Sequence, residues 1–313
     1  MDTPEHYDMD AIDARNLCKS FGPVTAVDDV SITIPEGSIF GFLGPNGAGK
    51  TTTIRMITGV LIPDAGSVKI LGTDVHEEPL TAKLRMGVIP ENGTVYSDLT
   101  AEQNILLAAK FYGMEKDSRV QRTGEILDRL GLTERRNDYV RTFSKGMRQR
   151  ISVACAIVHS PQVLILDEPT TGLDVYSRRL VIDTIRHMNR KGSTVLLTTH
   201  NIEEANTLCS RISVINRGRI VATGSPENLK KTFDTSRYIE ISFGQPVEPG
   251  LFLVPGITRA EPWGDKWRIY TDDPDQAVKY LASVSEREHL TIISIATSTP
   301  TLEEAFVRLT AGA

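Results

Sequence analysis

Ile39-Phe40-Gly41-Phe42-Leu43-Gly44-Pro45-Asn46-Gly47-Ala48-Gly49-Lys50-Thr51-Thr52 is the stretch on which the reading of this chain turns. An apolar run suited to a buried strand opens into a glycine-rich turn, then into a helix-compatible segment, Ile54 to Gly59. The spacing G-x-x-x-x-G-K-T is that of a phosphate cradle. Gly44, Gly47 and Gly49 permit backbone angles that a side chain would penalise, so successive N–H groups can turn inward on phosphate oxygens. The positive end of the following helix adds to this field. Lys50 is expected to reach the β- and γ-phosphates and the Thr51 hydroxyl to ligate Mg²⁺. The run Gly44, Pro45, Asn46, Gly47, Ala48, Gly49, Lys50, Thr51 and Thr52 is therefore the candidate nucleotide grip.

The whole chain sets bounds on what surrounds this grip. Its 313 residues exceed the usual single-domain size, which favours one large domain and a smaller one. With 40% hydrophobic and 24% charged residues it can bury a sizeable core. A formal charge of −5 argues against nucleic-acid backbone as the main partner. Cys18, Cys155 and Cys209 show no metal-like spacing and are expected to be reduced, mostly buried thiols of a cytosolic protein. No apolar run approaches the length that spans a bilayer, and the acidic, polar start is unlike a signal peptide. A role at the membrane must come through a partner.

Working outward, residues 1–10 read as a loose tail. Two β-rich segments, Ala11 to Leu17 and Val30 to Ile34, flank a turn at Phe21-Gly22-Pro23. Short strands are expected at Ser67 to Gly72 and at Met86 to Pro90. Between Leu99 and Thr142 the apolar residues take helical spacing, which predicts a helical subdomain (about 92–150) inserted into an α/β core. Val163-Leu164-Ile165-Leu166-Asp167-Glu168 and Ser193 to His200 read as strands buried on both faces whose polar tips open on a site. A closing hairpin follows at Ile212 to Ala222. Gly224-Ser225-Pro226 and Lys230-Lys231 mark a boundary, taken at 228/229. Beyond it, strands and two helices predict a small α+β domain with a ferredoxin-like topology as the candidate.

The cradle needs a metal holder and a group that activates water. Asp167 is the candidate for holding Mg²⁺ and Glu168 the candidate general base. Phe143-Ser144-Lys145-Gly146-Met147-Arg148-Gln149-Arg150, Pro169-Thr170-Thr171-Gly172-Leu173-Asp174, His200 and Phe21 fall in a fixed order around them. In that order the chain resembles the ATP-binding cassette (ABC) family, the nucleotide-binding subunits of ABC transporters. The resemblance implies a P-loop NTPase (RecA-like) core with an antiparallel β subdomain and an ATPase working with Mg²⁺. It implies that two cassettes pack head to tail, so that Ser144 and Gly146 of one cover the ATP held by the other, with Asp174 at the dimer contact. His200 is implied at the γ-phosphate. Phe21 has two open readings, a stack on adenine or an ordinary core aromatic.

The chain departs from the family pattern at Glu91, where glutamine is usual, and at Lys145 and Met147 in the signature. A carboxylate at Glu91 can ligate Mg²⁺ and is expected to act as hinge to the transport partner. Lys145 either adds charge near the phosphates or is simply solvated. The end of the chain, Pro300 to Thr310, resembles the accessory domain of ATPases of ABC-2-type exporters, including the daunorubicin-resistance and sodium-export-like groups. The implied protein is a homodimer, or a pair with a paralogous cassette. It would work through a separate multi-span membrane permease at the cytoplasmic face, with no nucleic acid as partner. Two alternatives stay open at this point: a non-transport cassette acting on nucleic acid or ribosomes, and a module that binds ATP without turnover.

Overall fold

The structure is a computed structural model that describes residues 10–91, 95–233, 237–252, 254, 256–298 and 301–311. Residues 1–9 of the expected tail (1–10) and the start of the helical insertion, residues 92–94, lie outside the described residues, and Asp10, the last of the tail, belongs to the first strand. The chain divides into two compact units at Pro226/Glu227, two residues before the boundary read from the sequence.

The first unit begins with β1 (Asp10–Phe21), β2 (Val24–Pro35), β3 (Ile39–Leu43), α1 (Lys50–Ile57), β4 (Ala65–Ile70), β5 (Thr73–Asp74), α2 (Pro79–Arg85) and β6 (Met86–Ile89). The helices α3 (Ala101–Phe111), α4 (Lys116–Arg129) and α5 (Lys145–Ile157) follow, then β7 (Val163–Asp167), α6 (Val175–Arg190), β8 (Thr194–Thr198), α7 (Ile202–Leu208), β9 (Arg211–Asn216) and β10 (Arg219–Gly224). An antiparallel sheet runs in the order β2-β1-β4-β5 and a second sheet in the order β10-β9-β3-β8-β7-β6. In the second sheet all neighbours are parallel except the closing hairpin of β9 and β10. Every residue of β3, β7 and β8 is buried, as their unbroken apolar runs require of strands covered on both faces. One continuous core joins the two sheets, with Ile54, Met56 and Ile57 of α1 packed among strand residues of both.

The helical insertion is fixed by local chemistry. Thr100 and Gln103 form a reciprocal capping box at the start of α3. Buried Asn104 bonds the backbone of Tyr96 and Thr100, which ties the entering loop to the helix. Helix α5 carries the insertion back to the sheet, packing on α3, α4, α6 and β6. It starts at Lys145, a turn and a half before the apolar run at Ile151, because Ser144 caps it by accepting from the Met147 N–H at 3.2 Å. Helices α2 and α7 are too short and too polar for a period to stand out in the sequence.

The second unit opens within α8 (Pro226–Phe233) and continues with β11 (Arg237–Phe243), β12 (Ile257–Trp263), β13 (Lys266–Thr271), α9 (Pro274–Arg287), β14 (Ile292–Ser298) and α10 (Leu302–Ala311). Its sheet order, β12-β13-β11-β14, with every pair antiparallel, is the split β-α-β arrangement of ferredoxin-like domains. A single 3-10 turn at Pro249–Phe252 stands where the first helix of that arrangement would be. Ile239, Ile241, Ile269, Phe252 and Leu281 form its core.

Just beyond α5, His159 stacks on Tyr112 with ring centroids 3.4 Å apart and its Nε2 bonds the Met86 carbonyl at 3.0 Å. A carbonyl can only accept, so Nε2 carries the proton. Burial pushes the ring's pKa from 6.5 down to about 4. The unfolded chain binds a proton here below about pH 6.5 while the folded one does not until near 4, so stability falls as pH drops through that window. The loss amounts to about 3 kcal/mol when complete. Urea denaturation of wild type and His159→Gln between pH 7.5 and 4.5 checks this. The wild-type midpoint is expected to fall more steeply than the variant's, and parallel profiles would refute the assignment.

Candidate functional site

The site is assembled where β3, β7 and β8 end on the same edge of the parallel sheet. Strand β3 pairs with β8, and β8 with β7, so the cradle after Leu43, His200 and the Asp167-Glu168 pair are side by side. A cavity of about 300 Å³ opens there, lined by residues 45–52, Ala26, Glu91 and Glu168. It brings together the expected grip, the Mg²⁺ candidate Thr51, the departing residue Glu91 and the candidate base.

The cradle is held by close backbone approach. Gly49, with φ of 109°, is the N-cap of α1, and a Cβ on it would lie 2.5 Å from the Ala26 carbonyl oxygen. Both the angle and the space demand glycine there. No side chain caps α1 and no acid occupies its first turn, so its amides and positive end are left for an anion. Lys50 is only 7% exposed, with its ammonium donating to the carbonyls of Gly44 at 2.7 Å and Pro45 at 3.2 Å. A nearly buried ammonium with only carbonyl partners carries uncompensated positive charge, which a phosphate would neutralise.

The two acids are aligned by a residue to which the sequence reading gave no role. Thr198, fully buried, donates its hydroxyl to Asp167 Oδ1 at 2.6 Å and accepts from the Glu168 N–H at 3.0 Å. A lone hydroxyl closing an apolar strand was the only signal for it. Glu168 sits at φ 52°, a left-handed conformation that costs a side chain about 1–2 kcal/mol. That turn takes the chain out of the strand direction directly after Asp167. The Glu168 carboxylate accepts from Thr171 at 2.8 Å and lies 2.7 Å from His200 Nδ1.

A second unpredicted residue ties the loop after Glu168 to the helix after His200. Glu204 on α7, 7% exposed, accepts from the Thr170 hydroxyl at 2.6 Å and pairs with Arg178 of α6 at 3.4 Å. Nothing in the acidic pair Glu203-Glu204 marks its second member as buried.

The remaining candidates lie outside the lining of this cavity. Phe21 is 52% exposed at the end of β1, which excludes the core reading and leaves an aromatic face open beside Lys19. Ser144, Gly146 and Asp174 form a separate cluster. Asp174 caps α6, accepting from the Ser177 N–H and Oγ, both at 2.8 Å, and these bonds hold its carboxyl below the usual carboxylate range. Gly146 faces the same cap, where a Cβ would meet Ser177 Oγ at 2.5 Å and Asp174 Oδ2 at 3.0 Å. Exposed Lys145 reaches over Gly172 of the same chain.

The donor set suits Mg²⁺ bound jointly with a nucleotide. Among the described residues no three His, Cys, Asp or Glu converge as a cage. A hydroxyl at Thr51 and carboxylates at Asp167 and Glu91 are too few for six oxygens, and Mg²⁺ takes the balance from phosphate and water. The cysteines are free; burial pushes the Cys209 thiol up to about 12, and it packs against Gly41 of β3. No helix among the described residues is long and apolar enough to cross a membrane.

Comparison with known proteins identifies this arrangement. The family model described as "ABC transporter" matches residues 27–171. The linearmycin resistance ATP-binding protein of Bacillus subtilis (strain 168) is 34% identical over 304 residues, 96% of this chain and 98% of that protein. The daunorubicin/doxorubicin resistance ATP-binding protein of Streptomyces peucetius is 38% identical over 307 residues, covering 96% and 92%. A dimeric ATP-binding cassette solved in a post-hydrolysis state with ADP and Pi superposes with a TM-score of 0.64 at 25% identity, over 68% of this chain and 98% of that one. Relatives of this similarity, matched nearly end to end, show that the chain belongs to the ABC transporter family, as an ATP-binding and ATP-hydrolysing subunit.

Proposed function

We propose that this chain powers export through a separate multi-span permease of the ABC-2 type, as a head-to-tail dimer at the cytoplasmic face of the membrane. Two relatives that confer drug resistance fit an export reading, and the dimeric cassette supports the pairing. In this proposal the residues from Gly44 to Thr52 grip ATP and Phe21 stacks on adenine. Mg²⁺ is held by Thr51, Asp167 and Glu91. The start of α5, Ser144 and Gly146, covers the nucleotide of the partner subunit, with Asp174 beside it at the dimer contact. The observation that carries the reading is the Glu168 carboxylate, lining the same cavity as Lys50 and held 2.7 Å from His200. From there it takes the proton of the attacking water, while His200 orients the carboxylate and meets the γ-phosphate. Mg²⁺ supplies charge neutralisation on the phosphates.

Glu168→Gln removes the base and keeps the shape, so steady-state hydrolysis is expected to fall by about 10²–10⁴-fold while ATP binding persists and an ATP-bound dimer accumulates on gel filtration. Thr198→Val, which loses the bonds that align both acids, is expected to lower kcat by about tenfold with KM little changed, since one such bond contributes about 1–1.5 kcal/mol. Retained turnover in Glu168→Gln would remove it as the base. Replacing Glu91 by Gln tests the metal role separately. The Mg²⁺ concentration for half-maximal hydrolysis is expected to rise several-fold, whereas an unchanged curve would strip the charge of any function. The C-terminal domain is proposed to contact its twin, so a chain ending at Pro226 is expected to need more ATP and protein to dimerise. Equal dimerisation of the truncated and full chains would end that proposal.

A further inference from the structure

The C-terminal unit contains a second cavity, of about 480 Å³, between the polar face of its sheet and α10. That volume falls within the range of small-molecule sites. Cross-strand register explains its walls: Tyr238 and Glu240 of β11 stand opposite Tyr270 and Arg268 of β13, and Glu261 of β12 faces Arg268 from the other side. Arg268 is 7% exposed, and its guanidinium lies 3.9 Å from the Trp263 ring centroid and 4.8 Å from that of Tyr238. It pairs with Glu240 at 3.0 Å and with Glu304 of α10, so its charge is fully matched. Arg259 pairs with Glu261, which also accepts from the Tyr270 hydroxyl at 2.7 Å.

What is left over defines a ligand. Glu303 lines the cavity, is exposed, and makes no ion pair among the described residues, so the walls carry one uncompensated negative charge. Trp263 is 54% exposed and Val307 56% exposed on the same walls, a flat apolar surface turned to solvent next to that carboxylate. An anion would have to displace carboxylates from both arginines, whereas a cation has Glu303 to itself. We propose that this cavity is a binding site for a flat, apolar organic cation, an aromatic ammonium or pyridinium-type molecule. The ligand stacks on the outer face of Trp263 against Val307 and pairs with Glu303.

Calorimetric titration of the full-length chain with N-methylquinolinium tests this, with naphthalene-1-sulfonate as the anion of similar shape. Saturable binding of the cation is expected. Trp263→Ala and Glu303→Gln should each weaken it at least tenfold while leaving ATP hydrolysis and the circular-dichroism spectrum as in wild type. Both side chains are exposed, so neither substitution threatens the fold. Absence of saturable binding, preference for the sulfonate, or binding indifferent to both variants would overturn the proposal. So would a Trp263 fluorescence change that tracks protein concentration without any probe, because a second copy of the chain would then fill the cavity.

Discussion

Everything at the ATP site depends on two hydroxyl-mediated bonds at the ends of two buried strands. Thr198 joins the tip of β8 to Asp167 of β7 and to the backbone of Glu168 just after it, with Thr198 and Asp167 both buried. Because Val163–Leu166 of β7 and Val195–Leu197 of β8 are apolar, their register is set by packing, and the polar groups meet beyond them at the edge. The strained turn at Glu168 is tolerated because Thr198 holds the preceding Asp167 carboxylate and the Glu168 N–H in place. Rigid walls and a small polar rim are what a phosphoryl-transfer site needs, since its chemistry is mostly positioning and charge.

Much of this was legible in the sequence because it is local. A strand, a glycine turn and Lys50-Thr51 are contiguous, so their geometry follows from spacing alone. The acids at 167 and 168 close an apolar run, which marks a strand end opening on a site. The split β-α-β order of the C-terminal unit was reachable from strand count and hairpin spacing. Thr198 and Glu204 were not legible, since each acts across a gap of about thirty residues that no pattern in the chain measures. The position of Lys145 over Gly172 was not legible for a related reason: it depends on the packing of α5 against α6. Phe21 was ambiguous until its exposure was known, because a core and a stacking platform use the same ring.

The two compact units solve different problems with different sheets. The first uses parallel strands covered on both faces, which brings chain ends from distant sequence positions to one edge. The second uses an antiparallel sheet with α9 on its apolar face, which leaves a polar face rich in arginine, glutamate and aromatic rings. A catalytic edge and a face of matched charges make unlike demands on solvent, and their separation at Pro226/Glu227 lets each satisfy its own.

The packing of Gly146 against Ser177 and Asp174 also reaches into the history of the sequence. With 2.5 Å between a would-be Cβ and Ser177 Oγ, residue 146 cannot drift to alanine unless position 177 shrinks or the two helices part. The segment that opens α5 and the loop that opens α6 thus constrain each other sterically, although 30 residues of chain lie between their contacting positions.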